Sequence, residues 1–275
     1  MFHSLSNDTL YVAVRVSSSF AVPDLEELKA VVGTGFFVMD SARLPHLVTN
    51  RHVLELDYGE HASRFRGATL VAIEVRAFSW DQINLPPAQA RRTPPTLRNY
   101  RIDAVDPSRL KLPANYHEDV ACISAAAMVD TSGNLAKPPI VWSRDLLADD
   151  EWIATNLEVC DFVAFPGFPV WHDKLAGRPI LRTGTIASDP RADYSHTPQH
   201  HGRRIAYEAF SSDGSSGSPV IAVQKADPSS SQNTPGAVRR PKVVGVNAGH
   251  LKAEGSGHSG ISYFIKSSAL LELLQ

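Results

Sequence analysis

Residues 211–220 read SSDGSSGSPV, with Ser216 enclosed by Gly214, Ser215 and Gly217 and an apolar run, VIAV, at 220–223. A serine hydroxyl is a weak nucleophile at neutral pH. It needs an adjacent base, usually a histidine, and a carboxylate to orient that base. It also needs N–H donors aimed at the oxyanion that develops during acyl transfer. Glycine at 214 lets the backbone turn so that its N–H and that of Ser216 converge on one point. Gly217 and Ser218 leave the approach uncrowded. The base candidate is His52 in HLVTNRHVL, where an apolar strand leads to Thr49 and the histidine falls at its end. The carboxylate candidate is Asp119 in YHEDVACI, an acid directly before an apolar strand. Singly, each has a plainer explanation: a Gly/Ser loop, one of 11 histidines on a surface, a turn acid at a strand edge.

The elements that must position these residues are short apolar runs rich in Val, Ile, Phe and Tyr. They include TLYVAVRV (9–16), GTGFFVMD (33–40), HLVTNRHVL (46–54), ATLVAIEVRAF (68–78), NYRIDAV (99–105) and DVACISA (119–125). VCDFVAF (159–165), ILRTGTIAS (180–188), RIAYEAF (204–210), SPVIAV (218–223), KVVGVNAG (242–249) and GISYFIK (260–266) follow. About a dozen strands at this spacing suit a sandwich or barrel, with the 19 prolines and 17 glycines as turns. Helical signal is sparse. FAVPDLEELKAVV (20–32) has room for one short helix, and SSALLELLQ (267–275) reads as a second, capped by Ser267 or Ser268. The segments 81–98, 189–203 and 225–241 have the composition of surface loops.

The order His52, Asp119, Ser216 with these flanks resembles the chymotrypsin-fold serine peptidases, most of all their bacterial HtrA-like branch. GTGFFV resembles the strand before the histidine motif, LVTNRHV the histidine motif itself, EDVACI the aspartate motif and GSSGSPV the nucleophile motif. FVAFPGFP (162–169) looks like the strand and turn opening a second lobe, KVVGVNAG the strand lining the cleft and GISYFI a strand after it. The resemblance implies an all-β chain with two six-stranded antiparallel barrels and a short C-terminal helix. The chain 1–275 would be a single peptidase domain. Its lobes would be 1–135 with His52 and Asp119, and 150–266 with Ser216, followed by helix 267–275. It implies a serine endopeptidase with Ser216 as nucleophile, His52 as base and Asp119 as its orienter. The N–H groups of Gly214 and Ser216 would form the oxyanion hole. Ser218 stands where many relatives have a second glycine, and one small side chain leaves the hole intact. The site needs no metal or cofactor, and activity rises as His52 loses its proton near pH 6–7.5.

By the same pattern, Phe210 and Ser211 fall near the base of the primary specificity pocket, and Asn247, Ala248 and Gly249 form its wall. No acid stands at the base, which argues against Arg/Lys preference. A phenylalanine there shortens the pocket toward small or medium apolar side chains, unless it packs in the core instead. HTPQHHG (196–202) offers three histidines as metal ligands, but a surface loop is the simpler reading. LKAEGSGHSG (251–260) lacks the strand and GK[ST] context of a phosphate-binding loop.

Composition narrows the partners. A net charge of −2 gives no reason to expect nucleic acid or an anionic membrane surface. The first residues, MFHSLSNDTLYVAV, lack the pattern of a secretory signal, and no apolar run is long enough to span a membrane. Cys122 and Cys160 both sit in apolar runs and read as buried thiols of a reducing, cytoplasmic setting. The expected partner is a polypeptide substrate. The length leaves no room for a PDZ domain after GISYFI. Restraint would then come from loops or an activating partner protein, and a peptidase fold that only binds peptides is the other alternative.

Overall fold

The computed structural model describes residues 5–23, 25–59, 62–79, 93–103, 107–198, 201–226, 238–253 and 257–275. Strands β1 (Val14–Ala21), β2 (Lys29–Met39), β3 (Pro45–Thr49), β4 (Thr69–Ser79), β5 (Thr96–Asp103), β6 (Leu110–Lys111), β7 (Ala121–Ser124) and β8 (Val129–Asp130) form one sheet. Its order is β6-β7-β3-β2-β1-β4-β5-β8. Strands β9 (Phe162–Gly167), β10 (Ile180–Ile186), β11 (Arg204–Glu208), β12 (Pro219–Ala222), β15 (Lys242–Lys252) and β16 (His258–Lys266) close into a six-stranded barrel. Between β12 and β15, β13 (Lys225–Ala226) and β14 (Val238–Arg239) pair as a small ribbon. Among the described residues there are three short α-helices: α1 (Arg51–Leu54), α2 (Asp150–Asn156) and α3 (Ser267–Leu273).

The first lobe corrects the expectation of a second six-stranded barrel. Its sheet curls around one core, in which Val14, Phe37, Leu47, Ile73, Ile102 and Ile123 are all buried. The edge strands β6 and β8 are two residues each and do not pair with each other. Side chains, not a ladder, close that half of the molecule.

A second apolar cluster joins the lobes. Phe36 and Val38 of β2, Val48 of β3 and Cys122 of β7 meet Val243 and Val246 of β15 and Ile265 of β16. Ala269, Leu270 and Leu274 cover this seam. Strand β2 therefore buries both faces, Phe37 inward and Phe36 and Val38 toward the other lobe, which is why GTGFFV shows no alternation.

Other expectations shift. No helix occupies 20–32: β1 runs to Ala21, β2 starts at Lys29, and Phe20 pairs with Lys29 across the hairpin. Leu25 and Leu28 are exposed, so a helix there would have no apolar face to bury. The run 9–16 begins as a 3-10 helix, Asn7–Val12, before β1. The C-terminal helix is present, but its N-cap is Lys266. Ser267 instead donates to the Ala148 carbonyl, and Ser268 to Asp150 Oδ1 at 2.8 Å, tying α3 to α2. Cys122 is buried as expected, whereas Cys160 is exposed in a turn with φ 65. The reason is its neighbour: Asp161 is the buried anchor there, paired with Arg239 at 2.6 Å and Lys225 at 2.8 Å. Most of the 81–98 and 225–241 loops lies outside the described residues.

Because Leu270 is fully buried in the seam, Leu270→Ala is expected to cost about 2–5 kcal/mol in urea unfolding. A change below about 0.5 kcal/mol would show that the helix does not hold the lobes together.

Candidate active site

His52 lies on α1, one residue past its N-terminal end at Arg51. Its backbone N–H donates to Asp119 Oδ1 at 3.1 Å, and its ring Nδ1 meets Asp119 Oδ2 at 2.7 Å. A carboxylate only accepts, so Nδ1 carries the proton and the Nε2 lone pair is left for chemistry. Asp119 is fixed in turn by Asn50, whose amide donates to the Asp119 carbonyl at 2.5 Å. The His52 side chain is 33% exposed and that of Asp119 only 11%. A second His–Asp contact, His46 with Asp40 at 2.9 Å, has side chains 4% and 6% exposed, so no substrate reaches it.

Burial would push the His52 imidazolium down. The Asp119 charge and hydrogen bond outweigh that and hold its pKa above the ordinary 6.5.

Ser216 is brought up by the second lobe. Its carbonyl accepts from Thr34 N–H at 2.7 Å. A Cβ built on Gly33 would lie 3.1 Å from that carbonyl and 2.8 Å from Val53, the residue after His52. Thus the serine loop and the histidine helix are one side chain's width apart across β2. The Ser216 hydroxyl makes no hydrogen bond to a described residue, so of the three expected site residues only His52 and Asp119 are joined in this conformation. Hydrogen bonds between a nucleophile and its base are often loose before substrate binds.

The loop around Ser216 is held from behind. A trans peptide's N–H points opposite its carbonyl, so fixing one carbonyl aims the next residue's N–H. The Asp213 carbonyl accepts from Val170 N–H at 3.1 Å, which directs the Gly214 N–H away from Val170. The Ser215 carbonyl accepts from Ser218 N–H at 3.1 Å and from Asn247 Nδ2 at 3.0 Å, which directs the Ser216 N–H outward. Neither N–H has an acceptor among the described residues. Gly214 has φ +87, and a Cβ there would meet the Phe168 carbonyl at 2.3 Å. Gly217 has φ +88, and its Cβ would stand 1.9 Å from the Thr34 carbonyl. Only glycine fits either place. Ser218, buried, sits against the bare backbone of Gly167, where a Cβ would come within 2.3 Å of its Oγ. The glycine missing at 218 is thus compensated by one at 167.

Residues placed in the pocket by sequence divide. Ser211 is buried with its N–H on Ser262 Oγ at 3.3 Å. Asn247 is fully buried and braces the nucleophile loop, with Oδ1 accepting from Tyr207 at 2.7 Å. Ala248 is buried and Gly249 half-buried along β15. Phe210 is 62% exposed, so it does not pack in the core. Its ring lies 4.9 Å from that of His258. Thr34, Asn50 and Val170 escaped sequence reading. A threonine between two glycines in GTGFF was the one available signal.

His196 and His201 turn to different neighbours, Tyr194 and Tyr263 for the first and His117 for the second, and His200 lies outside the described residues. Among the described residues no cluster of three or more ligand-type side chains forms, and no helix is long and apolar enough to cross a membrane.

Compared with known families, the chain matches the trypsin-like peptidase domain over residues 33–226, a span holding His52, Asp119 and Ser216. No curated protein gives a match.

A raised pKa means that protonated His52 stabilises the fold fully below about pH 6.5, and that this contribution fades as pH rises through the folded value. In an NMR titration His52 should titrate above 6.5 in the wild type and below it in Asp119→Asn, where burial acts unopposed. An unchanged value in the variant would remove Asp119 as the cause.

Proposed function

We propose that this chain, which belongs to the trypsin-like peptidase domain family, is a serine endopeptidase that hydrolyses polypeptides through an acyl-enzyme. The observation that carries the reading is the pair of unoccupied N–H donors at Gly214 and Ser216, preset beside a histidine already oriented by a carboxylate.

His52 Nε2 takes the Ser216 proton as Oγ bonds to the scissile carbonyl carbon. The oxyanion so formed is received by the two N–H groups, each worth roughly 3–4 kcal/mol in such a site. His52 then gives its proton to the leaving amine as the C–N bond breaks. Water, deprotonated by the same nitrogen, opens the acyl-enzyme and returns the proton to Ser216. Asp119 keeps the imidazole in the productive tautomer throughout.

The preset carbonyls of Asp213 and Ser215 support a site competent in the isolated chain, and they weigh against a hole that a partner must first assemble. The GSSGSPV and GISYFI motifs support a place near the HtrA-like branch. The exposed thiol of Cys160 supports a reducing, cytoplasmic setting.

A fluorophosphonate probe should label the wild type and not Ser216→Ala, with the labelling rate rising along a limb above pH 6.5, as neutral His52 forms. A folded wild type that takes no label would sink the reading. Thr34→Val should lower kcat by about 10-fold with KM little changed, since it frees the Gly214 carbonyl that Thr34 Oγ1 holds at 2.7 Å. A change confined to KM would place Thr34 in substrate binding instead.

A further inference from the structure

Strand β10 points the wrong residue inward. In ILRTG the leucine should face the barrel and the arginine the solvent. Instead Leu181 is 42% exposed, and Arg182 shares a face with Phe165, its direct partner on β9 and part of the barrel core. The register is locked two residues on. At Gly184 a Cβ would come within 2.8 Å of Ala209 Cβ and 2.9 Å of Tyr207, so no side chain fits there.

The guanidinium of Arg182 lies 5.6 Å from the ring centres of Phe165 and of Trp171. No carboxylate pairs with it among the described residues, and its Nη1 is buried with no hydrogen-bond partner. Burial lowers its pKa, and Tyr207 is the group close enough to oppose that. The same Tyr207 donates to Asn247, which holds the Ser215 carbonyl. Two side chains, Tyr207 and Asn247, therefore connect the unpaired cation to the loop around Ser216.

His258 adds a second buried donor, poorly satisfied. Its Nδ1 accepts from Gly260 N–H at 2.8 Å, so the neutral ring carries its proton on Nε2. That Nε2 is buried and faces the Ser211 backbone without a well-formed hydrogen bond to it. Burial, then the charges of His250 and Arg182, hold its pKa below 6.5, while the Ser211 backbone beside it pulls upward. His250 stacks on the ring at 4.3 Å, and Phe210 packs against it at 4.9 Å.

A buried donor left unmet costs about 1–3 kcal/mol, and more when charged. Arg182, a permanent cation with an unmet donor, lies within electrostatic reach of His258, whose buried Nε2 is poorly satisfied beside the Ser211 backbone. We propose that the residue before the scissile bond (P1) is acidic, Glu or Asp, its carboxylate received by Arg182 and His258. This rests on the peptidase reading. It replaces the expectation of small apolar side chains, because the exposed Phe210 cannot form the floor of a pocket. Asp213, the nearest acid in the loop sequence, is exposed and screened by solvent.

The test uses the full chain and peptidyl diphenyl phosphonates that differ only at P1, carrying Glu, Gln, Phe or Lys, with the fluorophosphonate probe alongside. The Glu reagent should inactivate at least 10-fold faster than the Gln reagent. Arg182→Gln should bring that ratio close to one, and His258→Gln should lower it several-fold should the arginine variant not fold. Fluorophosphonate labelling with Phe or Lys fastest, or a ratio untouched by either variant, overturns the acidic preference and leaves the peptidase intact. No reaction with any reagent, the fluorophosphonate included, overturns the peptidase reading and this proposal with it.

Discussion

Thr34 is fully buried and holds together parts of the site that come from both lobes. Its N–H binds the Ser216 carbonyl, and its own carbonyl accepts from Thr49 Oγ1 at 2.7 Å, at the end of the strand leading to His52. Its hydroxyl donates to the Gly214 carbonyl and accepts from Phe168 N–H at 3.0 Å. Every polar atom of the residue is used, and the four bonds reach three segments: the loop around Ser216, the strand leading to His52 and the turn at Phe168. Neighbouring glycines at 33 and 35 make this possible. A Cβ at 35 would meet the Val48 carbonyl at 2.7 Å, so a bulkier strand would hold the segments apart.

Alignment of the lobes has a second, electrostatic part. Arg203, at the head of the Ser216 lobe, binds buried Glu118 at 2.7 Å and also Glu272 of α3. These carboxylates hold its pKa above the usual guanidinium range. The next residue, Arg204, donates to the His117 carbonyl at 2.7 Å. Both contacts grip the turn that ends in Asp119. A buried ion pair adds little net stability once desolvation is counted, but it tolerates only one geometry. Here the apolar seam supplies cohesion, and the arginines fix where the Asp119 carboxylate stands relative to the barrel.

The candidate site was legible because the proposed chemistry depends on residue type at few positions. A serine between conformationally free glycines, and a histidine and an acid each beside an apolar strand, can be found without coordinates. What escaped depends on pairing between distant segments. The stretch 20–32 reads as a helix by composition, yet its leucines meet nothing, and the hairpin of β1 and β2 wins. Cys160 looks buried because apolar residues flank it, yet Asp161 takes the buried place through cations more than sixty residues away. Asn247 reads as a pocket wall, and only the fold shows its amide behind Ser215. Arg182 is the sharpest case. A strand's register is set by its partners, and a shift of one residue reverses which side chains face inward. No local pattern in ILRTG reports that.

Buried polar side-chain atoms without partners among the described residues occur in both lobes, Ser18, His46 and Asn50 in the first among them, and three of the hydroxyls fall in the loop around Ser216. Ser212, Ser215 and Ser218 have buried hydroxyls without partners, and Arg182 and His258 add buried nitrogens. The two strained glycine positions, 214 and 217, are in the same loop. Elsewhere the barrel core is apolar and closed. A fold that leaves donors unsatisfied near its nucleophile loses stability there, and the loss persists only where the surroundings over-determine the geometry. Thr34, Asn247 and the Phe168–Val170 turn provide that determination. The loop thus keeps its N–H groups aimed outward, and in the proposed reaction a substrate carbonyl would meet donors that need no rearrangement.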